Sequence, residues 1–180
     1  SHEEKKKMMA YLLSRLNYYS TVKVSSLSEW KYQETVNLAD NDLLTSWRGH
    51  RIYWHYNRHE QIIIDLGQAR NVNRFIWTNW QHALTPTSYT LLTSLDGKEW
   101  DTVKRVSKGQ EIQDGKKVVE EFSANDARYV KMDITETLSN DAPAISEIEV
   151  ISSTFAEIDP SDAQDFIKNP FINKWLYFTN

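Results

Sequence analysis

Apolar positions change their period along the chain, and the changes divide it into three zones. Over residues 3–17, Met8, Met9, Leu12, Leu13 and Leu16 recur at helical spacing behind a Glu-Glu-Lys-Lys-Lys start, which predicts an amphipathic helix with one apolar stripe. Residues 21–153 carry short runs that suit strands instead. Residues 61–67 form an apolar run closed by a glycine, and residues 73–78 hold Phe75, Ile76 and Trp77. Residues 89–93 and 100–106 flank Asp96-Gly97, a strong hairpin signal, and Asp114-Gly115 marks a further turn before Val118. Residues 128–134 alternate, with Val130, Met132 and Ile134 opposite Tyr129, Lys131 and Asp133. Residues 145–151 alternate as well, with Ile148 and Val150 on one side. Many short strands without intervening helical periods predict an all-β, antiparallel β-sandwich. From Thr154 onward, Asp159-Pro160-Ser161 starts a short helix that Asn169-Pro170 stops, followed by the apolar run 171–178. The expected organisation is a helical extension over 1–20, the sandwich over 21–153, and a C-terminal helix with an aromatic tail over 154–180.

Composition narrows the classes. The chain of 180 residues has no Cys, so disulfide scaffolds, thiol nucleophiles and thiolate zinc sites are excluded. A net charge of −4 with both signs mixed argues against a nucleic-acid binder. No stretch approaches about 18 continuous apolar residues, so no transmembrane segment is expected, and no signal-peptide pattern is visible. Seven Trp in a chain this short stand out, because tryptophan serves both cores and ligand platforms.

The candidate chemistry lies in loops. Asp40, Asp42 and Thr45 place two carboxylates and a hydroxyl within six residues, a set that wraps oxygens around a hard cation such as calcium or else caps an ordinary Asx-turn. The segment 47–60 gathers Arg48, His50, Arg51, Tyr53, Trp54, His55, Tyr56, Arg58 and His59. An aromatic ring beside Arg, His or Asn side chains is the general recipe for holding a sugar, and the turn 77–82 offers the same with Asn79, Trp80 and His82. Trp47, Trp77 and Trp100 are assigned to the core, and Trp54 and Trp80 to ligand stacking, with His50, Arg51, Asn79 and His82 as polar partners. Trp30 and Trp175 are left unassigned. Zinc at His50, His55 and His59 would require a helix that the composition does not predict. No phosphate loop, nucleophile elbow or His-Glu-x-x-His is present, so an enzyme is not expected. Glu120-Glu121 reads as a solvated strand edge.

Several segments, in order, resemble the discoidin or coagulation factor type C family, which includes the galactose-binding-like carbohydrate-binding modules of family 32. They are the Asp40-Asn41-Asp42 to Trp47 segment, Ile62-Ile-Ile-Asp65-Leu66-Gly67, Ser94-Leu95-Asp96-Gly97 to Trp100, Ala127-Arg128-Tyr129-Val130, and Ile145-Ser146-Glu147-Ile148. The resemblance covers roughly Val24 to Ser152 and implies an eight-stranded, galactose-binding-like jelly roll whose end loops bind a ligand. It also implies that Glu147 completes a structural calcium site with Asp40, Asp42 and Thr45. Asn41 stands where the family usually has glycine, and asparagine tolerates the left-handed angles that such a turn needs. The Arg-to-Asn pair of sugar-binding members is not cleanly present; Asn79 and His82 are the nearby candidates. The expected function is a non-catalytic glycan-binding module of a larger bacterial protein, extracellular, on the cell surface or periplasmic, with neighbouring modules as further partners. A protein-interaction domain and an anionic phospholipid binder are the alternatives.

Overall fold

The period-2 runs pair into antiparallel strands, seven among the described residues, two of them long. The structure, a computed structural model, describes residues 1–50 and 59–151. Arg51, Trp54 and His55, the helix expected near Asp159, and the run 171–178 with Trp175 lie outside the described residues. The described strands are β1 (Lys23–Ser26), β2 (Trp47–Arg48), β3 (Glu60–Asn79), β4 (Pro86–Ser94), β5 (Asp101–Val106), β6 (Lys117–Thr137) and β7 (Ala144–Ile151). A compact unit runs from Thr21 to Ser152. Helix α1 (His2–Thr21) precedes it, and its buried side chains are Tyr11, Leu12 and Tyr18. The expected stripe is therefore rotated, since Leu13 and Leu16 are exposed. The two tyrosines, seven residues apart, define the buried face.

The two long strands are β3 and β6. The first half of β3 pairs with β1 and with the second half of β6, and its second half pairs with β7 and the first half of β6. β4 and β5 extend one layer beside β6, and β2 extends the other beside β7. The corner lies where the register shifts between Asp65 and Arg70. Gly67 takes a φ of 81 there, and the Asp65 carboxylate accepts the Gly67 N–H at 2.8 Å. Arg128 Nε donates to the same carboxylate at 3.0 Å, and this bond, before any other cause, holds Asp65 below the usual carboxylate range. The Ile-Asp-Leu-Gly segment is thus a chain corner, with glycine where the left-handed angle demands it.

The core lies between the layers. Ile62, Ile64, Val130, Met132, Ile134 and Leu91 from one layer meet Phe75, Trp77, Ile148 and Trp47 from the other, all essentially inaccessible to solvent. The Trp47 indole N–H donates to the Ser28 carbonyl at 2.9 Å and the Trp77 N–H to the Tyr89 hydroxyl at 3.3 Å, so both buried donors are satisfied. Trp100 is not a core residue. It precedes β5, half-buried, with the Lys131 ammonium 3.9 Å from its ring centroid. The edge reading of Glu120 is also overturned. This side chain is buried and accepts the Tyr89 hydroxyl at 2.6 Å, with Lys104 Nζ 2.7 Å from its other oxygen. Only Glu121 remains exposed, paired to Arg74 at 2.7 Å. β7 is buried at every position, because the 3-10 turn Thr35–Ala39 packs over it.

Candidate functional site

Strand pairing brings most of the candidate loops to one end of the sandwich. β1 runs out at Ser26 opposite Ile62, β3 begins at Glu60 and finishes at Asn79, and β6 begins at Lys117 and finishes at Thr137. The connections between these ends stack on one another. Gly49 N–H donates to the Pro143 carbonyl at 3.0 Å, and Leu138 and Ser139 N–H donate to the Thr85 and Ala83 carbonyls at 3.0 and 3.1 Å. Thr85 Oγ1 reaches the Ile112 carbonyl at 3.1 Å, and the His82 N–H donates to Asp114 Oδ1 at 2.6 Å. One continuous rim results, running from residues 28–50 through 138–143 and 82–85 to 111–115.

The expected residues divide along this rim. Trp80 is half-exposed, and His82 places Nε2 3.2 Å from the Glu111 carboxylate. His50 is exposed, stacked on the Trp30 ring at 5.8 Å between centroids, and its N–H donates to Ser28 Oγ at 2.7 Å. Asn79 is fully buried. Its amide donates to the Ile112 carbonyl at 2.8 Å, so it braces the 112–116 segment, and its Oδ1 has no hydrogen-bond partner among the described residues. A polar residue just past a strand reads as loop in the sequence, but the neighbouring segment folds over it.

Other residues join them at the rim, Trp30 and Asp141 among them without a role assigned from the sequence. The Trp30 ring also lies beneath the Arg48 guanidinium at 4.9 Å, and Arg48 Nη2 stands 3.5 Å from Asp141. Glu60 is buried behind them and accepts the Ser28 hydroxyl at 2.6 Å. Burial pushes its carboxyl up, opposed by the Ser28 bond and by His50 and His59. A Cβ on Gly49 would meet Glu60 Cδ at 2.8 Å, so a larger residue there would have to displace the Glu60 side chain. Nothing in the local sequence of Ser28, Trp30, Glu60 or Asp141 reveals this meeting, since they lie on three separate segments.

The Asp40–Thr45 turn forms the capped Asx-turn that its composition offered as one reading. Asp40 Oδ1 accepts the Asp42 N–H at 2.9 Å and Asp42 Oδ1 accepts the Leu44 N–H at 2.8 Å, while Thr45 Oγ1 donates to Asp40 Oδ2 at 2.6 Å. Asn41 has a φ of 60, the left-handed angle expected of it. Glu147 on β7 stands beside this turn, buried, with no hydrogen-bond partner for either carboxylate oxygen among the described residues. Its carboxyl is pushed up to about 9, chiefly by burial and then by the Asp40 charge, with the nearby Asn41 N–H opposing them. The two orphaned oxygens of Glu147, beside the Asp40 carboxylate, fit a hard cation. Among the described residues no three acidic or histidine side chains gather at one point, so such an ion would draw its other oxygens from hydroxyl, main chain and water.

Comparison with known proteins agrees with this architecture. Residues 21–149 match the model of the F5/8 type C domain. No curated protein matches the chain. Among solved structures it is similar to the CpGH89CBM32-5 module from Clostridium perfringens, in complex with GalNAc-β-1,3-galactose. The two are 17% identical with a TM-score of 0.65, covering 75% of this chain and 98% of that one. It is also similar to chitosan-binding module 1 of a chitosanase/glucanase from Paenibacillus sp. IK-5, at 25% identity and a TM-score of 0.62, covering 73% and 96%. A third similar structure is the family 32 module of NanJ from C. perfringens in complex with galactose, at 20% identity and a TM-score of 0.61, covering 74% and 95%. With its sandwich, its corner motif and the greater part of its length matched, this chain belongs to the F5/8 type C domain family.

Proposed function

We propose that this chain is a non-catalytic carbohydrate-binding module of a larger secreted or cell-surface protein, which holds glycan on the loop rim and calcium at the Asp40–Glu147 pair. One observation carries the glycan reading. A single rim presents a half-exposed Trp80 with His82 on one stretch, and an exposed His50 on the Trp30–Arg48 stack on another. Flat apolar faces beside imidazole and guanidinium donors suit the apolar face and hydroxyls of a pyranose. Similar structures carry galactose, GalNAc-β-1,3-galactose and, in a second chitosan-binding module, chitotriose, which makes these sugars the first probes. Trp54 and Arg51, from the same loop as His50, complete the proposed ligand set. An extracellular or periplasmic location follows from the same reading.

A glycan array followed by calorimetry tests this. Trp54→Ala and Trp80→Ala are each expected to weaken binding about tenfold or more, the scale of one lost stacking contact. Unchanged affinity in both variants removes the site.

A specific feature favours a second reading, attachment to a phospholipid surface. Leu43 and Leu44 are 52% and 85% exposed on one turn, as apolar spikes would be. Asp40 and Asp42 on the same turn repel an anionic bilayer, which is why the glycan reading is preferred. Absence of pelleting with phosphatidylserine vesicles at low salt eliminates attachment to anionic lipid.

A further inference from the structure

The turn leading toward β2 holds an aromatic residue in a conformation that suits glycine. Gln33 N–H donates to the Trp30 carbonyl at 3.0 Å, closing a four-residue turn whose third member is Tyr32. Tyr32 has a φ of 70, the angle that glycine or asparagine supplies at this position of a type II turn. For a bulky side chain this is strained backbone, and such strain persists where something besides local preference fixes the residue. Core packing is not that reason here. The Tyr32 side chain is 79% exposed, and its recorded ring contact is the neighbouring Lys31 ammonium, 4.9 Å from the centroid.

Position supplies a different reason. Trp30 N–H donates to the Arg48 carbonyl at 2.9 Å and Arg48 N–H to the Gln33 carbonyl at 3.1 Å, so the turn is strapped to the strand that carries Arg48, Gly49 and His50 into the rim. The turn therefore holds an aromatic side chain in water two residues along the chain from Trp30, whose own ring stacks on His50. A tyrosine ring gives large, stiff, amphipathic contact area with few torsions to freeze, and the Lys31 ammonium beside it can donate to hydroxyl oxygens.

We propose that Tyr32 is a second stacking platform, reading a sugar unit beyond the one held at the Trp80–His82 stretch, so that the ligand is an oligosaccharide. This rests on the glycan reading above. Calorimetry with galactose, GalNAc-β-1,3-galactose and chitotriose, on the full chain and on Tyr32→Gly and Tyr32→Phe, tests it. Tyr32→Gly relieves the strained angle, so it is expected to melt at or above the parent while its affinity for the bound oligosaccharide falls roughly five- to tenfold, and that for galactose changes by less than about twofold. Tyr32→Phe keeps the ring and is expected to bind the oligosaccharide within about twofold of the parent. Equal oligosaccharide affinity in Tyr32→Gly, or an equal loss on galactose, overturns the proposal while leaving glycan binding standing. A parent chain that binds no glycan on the array overturns the reading beneath it, and this one with it.

Discussion

Adding calcium to the chelated protein at pH 8 is expected to raise its melting temperature by about 6–12 °C, the shift that about 3 kcal/mol produces in a chain of this size. The argument starts from Glu147, whose carboxyl is pushed from an ordinary 4.5 up to about 9 in the fold. Without metal, the folded chain keeps a proton there that the unfolded chain releases above its ordinary value. The associated stability is complete below pH 4.5, declines above it, and is lost as pH rises through about 9. At about 1.4 kcal/mol per pH unit, the metal-free protein is expected to lose up to about 3 kcal/mol between pH 5 and pH 7.5. A divalent cation reverses the preference, because it requires the charged carboxylates of Asp40 and Glu147 and pins the turn to β7. The calcium-loaded and chelated melting curves should therefore separate as pH rises from 5 to 8. Glu147→Gln, uncharged at every pH, should remove both the pH slope of the chelated protein and the response to calcium. Identical melts with calcium and with chelator at pH 8 would sink the calcium reading. A metal-free stability that rises over the same range would sink the account of Glu147.

Replacing Glu120 by alanine is expected to destabilise the sandwich by about 3 kcal/mol, the usual consequence of removing one partner of a buried, hydrogen-bonded charge pair. The carboxylate joins the two layers. Tyr89 comes from β4, Lys104 from β5, and Trp77 on the second half of β3 donates its indole N–H to the same Tyr89 hydroxyl. Burial, and then the bond to Glu120, drive the Tyr89 hydroxyl far above its ordinary range, so it stays a neutral donor at every pH the protein meets. Urea unfolding of Glu120→Ala, Tyr89→Phe and the double variant gives the coupling between the two side chains. Tyr89→Phe should cost less, about 1–2 kcal/mol, because Lys104 still partners the carboxylate. A change below about 0.5 kcal/mol for Glu120→Ala would restore the solvated edge that the sequence suggested.

That contrast shows how far the sequence could be read. Val130, Met132 and Ile134 announced their strand because inward and outward positions alternate with the backbone, a period that no neighbour is needed to set. Asp96-Gly97 announced its hairpin for a similar reason. Gly97 takes a φ of 74, and Asp96 Oδ1 accepts the N–H groups of Lys98 and Glu99 within the turn. Glu120 was misread, and the burial of Asn79 was not foreseen, because their partners, Tyr89 in one case and Ile112 in the other, lie about thirty residues away, as the separations of their bonds show. Trp100 was misread in the opposite sense, since an aromatic beside a strand was counted as core when the chain only laid it under Lys131.

The candidate site follows the same division. Composition alone selected loop histidines and tryptophans, and left Trp30 without a role. Strand pairing then seated His50 and Arg48 on Trp30, put Asp141 beside Arg48, and joined the rim through the Gly49–Pro143 and Leu138–Thr85 bonds. By itself the sequence determined the all-β sandwich, the turn at Asn41, the corner at Gly67 and the presence of acidic and aromatic loops, because each depends on backbone preferences and periods carried by adjacent residues. Tertiary structure alone decided which polar groups are buried and which rings meet, and it set beside Asp40 the Glu147 that only the family resemblance had pointed to. Those outcomes depend on desolvation and contact between segments far apart in the chain, and no local pattern encodes that distance.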